Sequence, residues 1–469
     1  MVLRGELLVN HADDYSTTEK NGTDKPLSRR TLFYYGLGDM PIQMAGVPVA
    51  AFIPNYYGQD LGVSLAAIAT VLLIARAFDV ITDPLVGWLS DRTNTRWGRR
   101  RVWMAAAVPI LMLSIYKLFM PEPPVTATYL LGWLIVLWLG WTMLFIPYYA
   151  WAAELSPDYN ERTRITGWRS AIGLAANVVS KLVPVMAIFL FSYGGTEETL
   201  FLIGTMTLIL LPVTVGLSIW KVPEGKDYIR SRIPVLPGLK LMWNNAPFKR
   251  LVAAYFVNAL GTAISTALIV FYVRSVLQDD QNSIIQLMFF FGFNLVGIPF
   301  WIKYSKKVGK HRAWRIALFG FGALMLCYLF LGPGDFLWML PITAVTGFLA
   351  GSSGVLANSM KADVIDVDRL ESGEDRAAWF FAVWSFTTKL GVTIGPSLAL
   401  ALLHFVGYDP SPGQTTEAGI QGLKFLFVFG PATGLILSSL IIWNYPLTEE
   451  RHADIRKKLE AQRANLSYD

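Results

Sequence analysis

The sequence predicts an all-α membrane protein with twelve transmembrane helices in two pseudo-symmetric halves of six. Three observations carry this prediction: the composition, the length of the apolar stretches and a repeated basic turn. Of the 469 residues, 54% are hydrophobic and only 16% are charged, whereas soluble domains average about 25% charged residues. This composition excludes a soluble enzyme and a disordered chain, and the single cysteine, Cys327, excludes a disulfide scaffold.

Twelve stretches are long enough to cross a bilayer, whose hydrocarbon core of about 30 Å needs roughly 20 helical residues. They are numbered α1 to α12 and lie near residues 32–56, 63–90, 102–120, 126–153, 169–193, 199–221, 249–275, 282–304, 313–331, 336–360, 377–406 and 420–445. We therefore expect an N-terminal tail (1–31), a six-helix bundle (32–221), a linker (222–248), a second bundle (249–446) and a C-terminal tail (447–469). The polar first 31 residues predict no cleavable signal peptide.

The basic residues predict the orientation. Of the 40 Lys and Arg residues, 34 fall in the two tails and in the even-to-odd loops, which all lie on one side. The positive-inside rule places this side, with both termini and the linker, in the cytoplasm. The net charge of +6 is therefore a topology signal, and we expect no nucleic-acid partner.

A repeated basic turn predicts the two halves. The loop between α2 and α3 reads DRTNTRWGRRR at 91–101, and the loop between α8 and α9 reads KYSKKVGKHR at 303–312. Their glycines, Gly98 and Gly309, are 211 residues apart, close to the spacing between the first helices of the halves. Two repeats with a central linker are typical of alternating-access transporters, which bind substrate between the halves near the midplane.

The densest polar group in an apolar stretch lies in α2. Asp79 and Asp83 are four residues apart and share a helix face, and Arg76 precedes Asp79 by three. An ionisable side chain in hydrocarbon costs at least about 2.5 kcal/mol, so it usually faces a cavity or a partner. The carboxylates could bind Na⁺, could share a proton because like charges raise a pKa, or could belong to a static charge network.

Other ionisable residues join this group as candidates. Asp39 in α1 and Asp83 in α2 each lie eight residues from the inner end of their stretch, about 12 Å deep. They could form one polar layer, or Asp39 could serve helix packing. Arg169 begins α5 and could enter the cavity, and Lys389 lies deep in α11. Lys181 in α5 is a weaker candidate.

The loops and the aromatic residues supply further candidate functional residues. The acidic loop after α10, with Asp363 and Asp366, either meets basic residues such as Arg99 in a cytoplasmic gate or is simply solvated. Tyr149 and Trp384 either line a sugar pocket or pack against neighbours. The four His residues are scattered and no nucleophile or metal motif is present, so we expect no enzyme and no cofactor.

Residues 75–88 (ARAFDVITDPLVGW), followed by RWGR at 96–99, resemble the helix 2 signature of the glycoside–pentoside–hexuronide:cation symporters. This is the family of the melibiose permease, within the major facilitator superfamily. Further matches are IPY at 146–148, ADVID at 362–366 and KLG at 389–391, and the resemblance spans essentially all twelve helices. It implies a secondary active transporter that couples H⁺ or Na⁺ to a sugar, glycoside or hexuronide. It also implies the bacterial cytoplasmic membrane and a functional monomer.

The resemblance implies roles for individual residues. Asp79, Asp83 and Thr142 match cation-site residues, and the two aspartates would be metal ligands if Na⁺ is the coupling ion. Arg169 and Lys389 match substrate-binding residues of the family. Tyr149 stands in place of a Trp that stacks on the sugar, and Gln43 stands in place of an Asp that binds galactosides.

Two departures from the family matter. The third cation-site carboxylate is replaced by Phe145, which favours H⁺ over Na⁺. Gln43 stands in place of an Asp, which disfavours an α-galactoside and removes a negative charge from the pocket. The pocket keeps the positive charges of Arg169 and Lys389, so we expect an anionic substrate such as a glucuronide.

The alternative is a transporter of lysophospholipids or other amphiphiles, since related animal proteins carry lipids. A pocket closed and lined by polar groups favours sugar, and an apolar groove open to the bilayer favours lipid.

Overall fold

The computed structural model describes residues 26–156, 159–223, 245–372, 377–410 and 415–466. This part of the chain is helical without strands, and twelve helices are long and apolar enough to cross a membrane, which confirms the predicted fold class. The single-segment helices are α2 (Leu65–Arg92), α3 (Arg101–Phe119), α4 (Ala127–Glu154), α5 (Tyr159–Phe191), α6 (Thr196–Lys221), α7 (Ala246–Ser275), α8 (Ser283–Val308), α11 (Ala377–Phe405) and α12 (Glu417–Ile441).

Three of the membrane-spanning segments change helix type along their length. α1 consists of Arg29–Leu37 and Met40–Asn55 and ends in a π-helical turn, Tyr56–Asp60. α9 is an α-helix over Lys310–Met325 that tightens into a 3-10 turn at Leu326–Phe330. α10 runs over Phe336–Ser352, passes a π-helical turn at Ser353–Ala357 and continues over Asn358–Ser372. Most of the predicted linker lies outside the described residues.

The break in α1 has a local cause in the sequence. Pro41 has no backbone N–H and sits in the first turn of the second segment, where a missing donor does no harm. The amides of Gly38 and Asp39 donate instead to Tyr35 and Gly36, three residues back, at 3.1 Å each. This tight turn places Asp39 inside the bundle, where the residue is only 2% exposed.

Two helices extend beyond the apolar stretches that predicted them. α5 begins at Tyr159, ten residues before the expected 169, and Arg164 therefore lies in the helix and pairs with Glu161 at 3.0 Å. α10 continues past the expected end at 360, so Asp363 and Asp366 are helical rather than in a loop. The predicted C-terminal tail contains a further helix, α13 (Glu449–Leu466). Hydropathy reports the bilayer-crossing part of a helix, whereas polar residues continue a helix into water.

The two halves are joined on the side away from the basic loops, here called the outer face. Arg274 at the end of α7 makes two bonds to the carboxylate of Asp60 at the end of α1, at 2.8 and 2.9 Å. The same guanidinium reaches Asn55 at 2.9 Å and Asp280 at 2.5 Å. Gln59 of α1 donates to the Tyr408 hydroxyl at 2.7 Å. These contacts, the outer latch, hold the outer ends of α1 and α7 together.

Removing either charge of the outer latch should open the outer face. Charge-assisted hydrogen bonds contribute about 1.5–3 kcal/mol each, so Arg274→Gln or Asp60→Asn should raise the outer-open population roughly tenfold or more. The check is the distance distribution between spin labels on the outer ends of α1 and α7. Lys117→Gln is the control, because Lys117 lies near Glu122, at 3.9 Å, within the N-terminal half. Unchanged distances in both latch variants would contradict the assignment.

Candidate cation and substrate site

The two carboxylates of α2 meet a hydroxyl of α4. The side-chain oxygen of Thr142 lies 2.9 Å from Asp79 Oδ1 and 3.0 Å from Asp83 Oδ1. A hydroxyl carries one proton and can donate to one carboxylate at a time. A proton on either carboxyl, or a cation between them, would satisfy the remaining oxygen. Asp79 and Asp83, which the four-residue spacing predicts on one face of α2, therefore both contact the Thr142 hydroxyl.

Lys389 brings the C-terminal half to this position. Its ammonium forms an ion pair with Asp83 and lies 3.9 Å from Asp79 Oδ2. α11 thus contacts α2 through opposite charges near the middle of both helices. The Lys389 side chain is 37% exposed although it lies within a membrane-spanning helix. An ionisable side chain within a membrane-spanning helix usually faces a water-filled cavity or an oppositely charged partner.

Arg76 completes the charge balance of the cluster. Its guanidinium lies 3.6 Å from Asp79 Oδ2 and stacks on the ring of Trp138, with 3.3 Å between the guanidinium carbon and the ring centroid. Two carboxylates therefore face two cations. The sequence reading missed Trp138, although its position four residues before Thr142 places both on one face of α4.

The cluster offers few oxygen ligands. Cations such as Ca²⁺ take six or more oxygens and Mg²⁺ six, whereas this cluster offers two carboxylates and one hydroxyl. No group of three His, Cys, Asp or Glu side chains that could hold a metal occurs in the described ranges. Phe145 lies one turn beyond Thr142 and packs edge-on against Tyr149, with ring centroids 3.9 Å apart.

A second polar group surrounds Asp39. Gln43 donates to Asp39 Oδ2 at 3.1 Å, and the Tyr149 hydroxyl lies 3.4 Å from Asp39 Oδ1. The Arg169 guanidinium stacks over the Tyr149 ring at 4.1 Å. These four side chains come from α1, α4 and α5. They offer a carboxylate, an amide, a guanidinium and an aromatic face, which are the groups that bind sugar hydroxyls and sugar rings.

The side chains of Asp39 and Gln43 pack closely against α5. A Cβ on Gly173 of α5 would lie 2.3 Å from Asp39 Oδ2 and 3.0 Å from Gln43 Cγ, so a larger residue at this position would displace both side chains. The hydroxyls of Tyr35 and Tyr148 each donate to the other residue's carbonyl, at 3.0 and 2.7 Å. These reciprocal bonds join α1 to α4 just below the turn at Asp39.

The remaining candidates lie elsewhere. Trp384 is 6% exposed and packs in the C-terminal half, 4.1 Å from the Tyr255 ring and 4.9 Å from the Lys361 ammonium. The described contacts of Trp384 are packing contacts rather than contacts with the polar groups above.

α4 contributes one residue to each of the two polar groups, Thr142 to the first and Tyr149 to the second. These two residues are seven apart in sequence, roughly 10 Å along the helix.

The predicted gating residues lie at the inner ends of the halves. Arg99 pairs with Glu154 of α4 within the N-terminal half. Asp363 accepts from Lys310 at 2.7 Å within the C-terminal half. His452 of α13 lies 3.1 Å from Asp366. Each of these contacts lies within one half, so they hold the inner ends of helices together without bridging the halves.

Comparisons with known proteins agree on one family. A family model described as MFS/sugar transport protein matches residues 34–449. A glucuronide carrier protein homolog of Escherichia coli is 26% identical, covering 94% of this chain and 98% of that protein. An isoprimeverose transporter of Lactiplantibacillus pentosus is 24% identical, covering 95% and 94%. The sodium-dependent lysophosphatidylcholine symporter 1-B of Danio rerio is also 24% identical, covering 98% and 95%.

Solved structures show the same fold. The nucleoside transporter NupG matches with a TM-score of 0.63 at 13% identity, covering 89% of this chain and 100% of that one. A bacterial homolog of the lysosomal transporter Spinster, inward-facing and unoccupied, matches with a TM-score of 0.60 at 12% identity, covering 92% and 97%.

Gly173→Ala should impair substrate binding. The added methyl group would displace the side chains of Asp39 and Gln43 from their described positions, and overpacking of this kind costs typically 1–3 kcal/mol. We expect the apparent substrate affinity in transport assays to fall about tenfold or more, with the protein still folded.

Gly167→Ala is the matched control, because a Cβ at this other glycine of α5 meets nothing within 4 Å. Equal affinities for the two variants would contradict the close approach of α1 and α5 at Asp39.

Proposed function

Because the chain belongs to the MFS/sugar transport family, we propose that it is a secondary active transporter that couples a cation to the movement of a sugar, glycoside or hexuronide. The observation that carries this proposal is the contact of Lys389 with Asp83 and Asp79. It places ionisable groups of both halves at one position in the membrane. A cation that binds there acts directly on the contact between the halves.

Coupling follows from the charges of this cluster. Without a bound cation, the two carboxylates attract Lys389, and α2 and α11 stay together at this depth. A proton or metal cation on the carboxylates removes part of that attraction. A ligand shifts a conformational equilibrium only by its differential affinity for the two states, and here the difference is the Lys389 ion pair. Cation binding therefore changes the free energy of separating the halves.

We propose H⁺ as the coupling ion. The Lys389 ammonium already occupies the side of Asp83 on which a second cation would sit. A proton needs a single carboxylate oxygen, whereas Na⁺ would need several ligands and the displacement of this ammonium. Phe145 supplies no oxygen at the position where the resembled family has a third carboxylate.

The group around Asp39 is the proposed substrate site. Gln43, Tyr149 and Arg169 surround this carboxylate, and each has a polar group suited to sugar hydroxyls. Lys389 would approach the substrate from the other half, whereas Trp384 packs against Tyr255 within that half. The relatives named as a glucuronide carrier homolog and an isoprimeverose transporter support a glycoside or hexuronide.

A lysophospholipid or other amphiphile is the second candidate. It is favoured by the relatives named as sodium-dependent lysophosphatidylcholine symporters of Danio rerio and Mus musculus. The polar groups around Asp39 favour sugar over an acyl chain. Uptake into proteoliposomes of glycosides, uronides and lysolipids, compared side by side, separates the two candidates.

We also propose how the transporter sits in the cell. It is a protein of the bacterial cytoplasmic membrane with both termini and the linker in the cytoplasm, as the basic loops indicate. The outer latch is then the periplasmic closure. Both polar groups are built from one chain, so a monomer suffices, with a small-molecule substrate and the lipid bilayer as its partners.

Asp79→Asn and Asp83→Asn should each abolish cation-driven accumulation. Both variants remove a negative charge from the position that Thr142 and Lys389 share, so a cation no longer changes the contact between the halves. Substrate exchange across proteoliposomes should persist in part, since it needs no net cation movement. Asp454→Asn, on exposed α13, is the control. Accumulation against a gradient by both variants would refute the cation-site assignment.

The coupling ion is tested by the driving force. An inward proton gradient without sodium should drive uptake at the full rate, and an inward sodium gradient at constant pH should drive little. Dissipating the proton gradient with a protonophore should reduce accumulation to equilibration. The reverse pattern would show Na⁺ coupling and would assign Asp79 and Asp83 as metal ligands.

A further inference from the structure

A buried lysine in α5 lies outside the two polar groups described above. Lys181 is 0% exposed, and its ammonium donates to the carbonyl oxygen of Asn177 at 2.7 Å and to the Asn177 side-chain oxygen at 2.8 Å. The ammonium also lies 4.6 Å from the ring centroid of Phe291, which belongs to α8 in the other half. Lys181 therefore sits at the interface of the halves.

Lys181 differs from Lys389 and Arg76 in its lack of an opposite charge. Lys389 and Arg76 each pair with a carboxylate of α2. Within the described ranges, no carboxylate lies within 4.0 Å of the Lys181 ammonium, and its partners are a neutral amide and an aromatic face. An uncompensated charge in a low-dielectric interior is unfavourable, and an ionisable residue kept inside a membrane usually has a function.

Lys181 is connected to the proposed substrate site. Asn177, which accepts from Lys181, donates through its own amide to the backbone carbonyl of Gln43 at 3.0 Å. Gln43 in turn donates to Asp39. Successive turns of α5 thus carry Gly173, Asn177 and Lys181 along α1, with the cation at the end nearer the outer face. The two ends of this row, Asp39 and Lys181, have opposite charges.

We propose that Lys181 recognises the acidic group of an anionic glycoside, with a hexuronide carboxylate as its ligand. This inference rests on the proposed function and specifies its substrate class. The carboxylate would take the place of Asn177 at the ammonium, and the sugar hydroxyls would bind along the row toward Asp39. Lys389 is engaged by the two carboxylates of α2, and Arg169 stacks on Tyr149 beside the Asp39 carboxylate, so we assign the preference for an anion to Lys181.

The route to Lys181 follows from its position. In the described arrangement, in which the outer face is closed, the Phe291 ring of α8 lies against the Lys181 ammonium of α5. Opening of the outer face separates these helices and presents the ammonium to a substrate that arrives from outside.

The test compares matched substrates in proteoliposomes with purified full-length protein. The first comparison uses wild-type protein, a labelled phenyl glucuronide, its neutral methyl ester and the corresponding phenyl glucoside. We expect the free acid to be taken up at least tenfold better than its ester, measured as the ratio of initial rates at low concentration. The second comparison measures the same ratio in Lys181→Gln and in the control Lys424→Gln. Lys424 donates to the carbonyl of Leu331 at 2.6 Å, far from the interface.

Lys181→Gln should lose the preference for the acid while uptake of the neutral glucoside persists. Lys424→Gln should keep the wild-type ratio. A Lys181→Gln protein that retains the ratio refutes the proposal, as does equal loss of both substrates in a protein that remains folded by size-exclusion chromatography. If the variant does not fold, the wild-type ratio decides, and equal uptake of acid and ester refutes the proposal. Wild-type protein that takes up no glycoside of either kind refutes the proposed function itself.

Discussion

The structure depends on one interaction, the pairing of Lys389 with Asp83 and Asp79. It joins α11 to α2 in the middle of the membrane, where each of these charges alone would be costly. Removing one partner leaves an uncompensated charge within the span, whereas a cation on the carboxylates weakens their attraction to Lys389. In the proposed mechanism, the same three side chains therefore stabilise one arrangement of the halves and make that arrangement sensitive to a cation.

The backbone positions the groups that surround this pair. The turn at Gly38 and Asp39 exists because Pro41 follows, and it directs a carboxylate inward that an unbroken helix would place differently. Gly173 then lets α5 approach that carboxylate closely. α4 carries Thr142 toward the proposed cation site and Tyr149 toward the proposed substrate site. A shift of α4 as a whole would therefore move a residue of each group.

Much of this arrangement could be predicted from the sequence, because it follows from local rules. Apolar length predicted the twelve spans, and a four-residue spacing placed Asp79 and Asp83 on one face. Helix ends beyond the apolar stretches were wrong, as at Tyr159 of α5, because hydropathy does not report where a helix stops in water. Contacts between distant helices, such as Lys389 with Asp83, depend on packing that local patterns do not specify.

Two contacts between the halves differ in how they relate to the proposed cation. The outer latch and the Lys389 pair both join the N-terminal half to the C-terminal half, so an outward-open state requires both to separate. The two contacts are similarly exposed, with 29% for the Asp60 side chain and 37% for that of Lys389. The central pair, and not the latch, contains the carboxylates that are proposed to bind the cation. A cation that neutralises Asp83 therefore weakens the central pair and leaves the latch unchanged, so the proposed coupling acts through one of the two contacts.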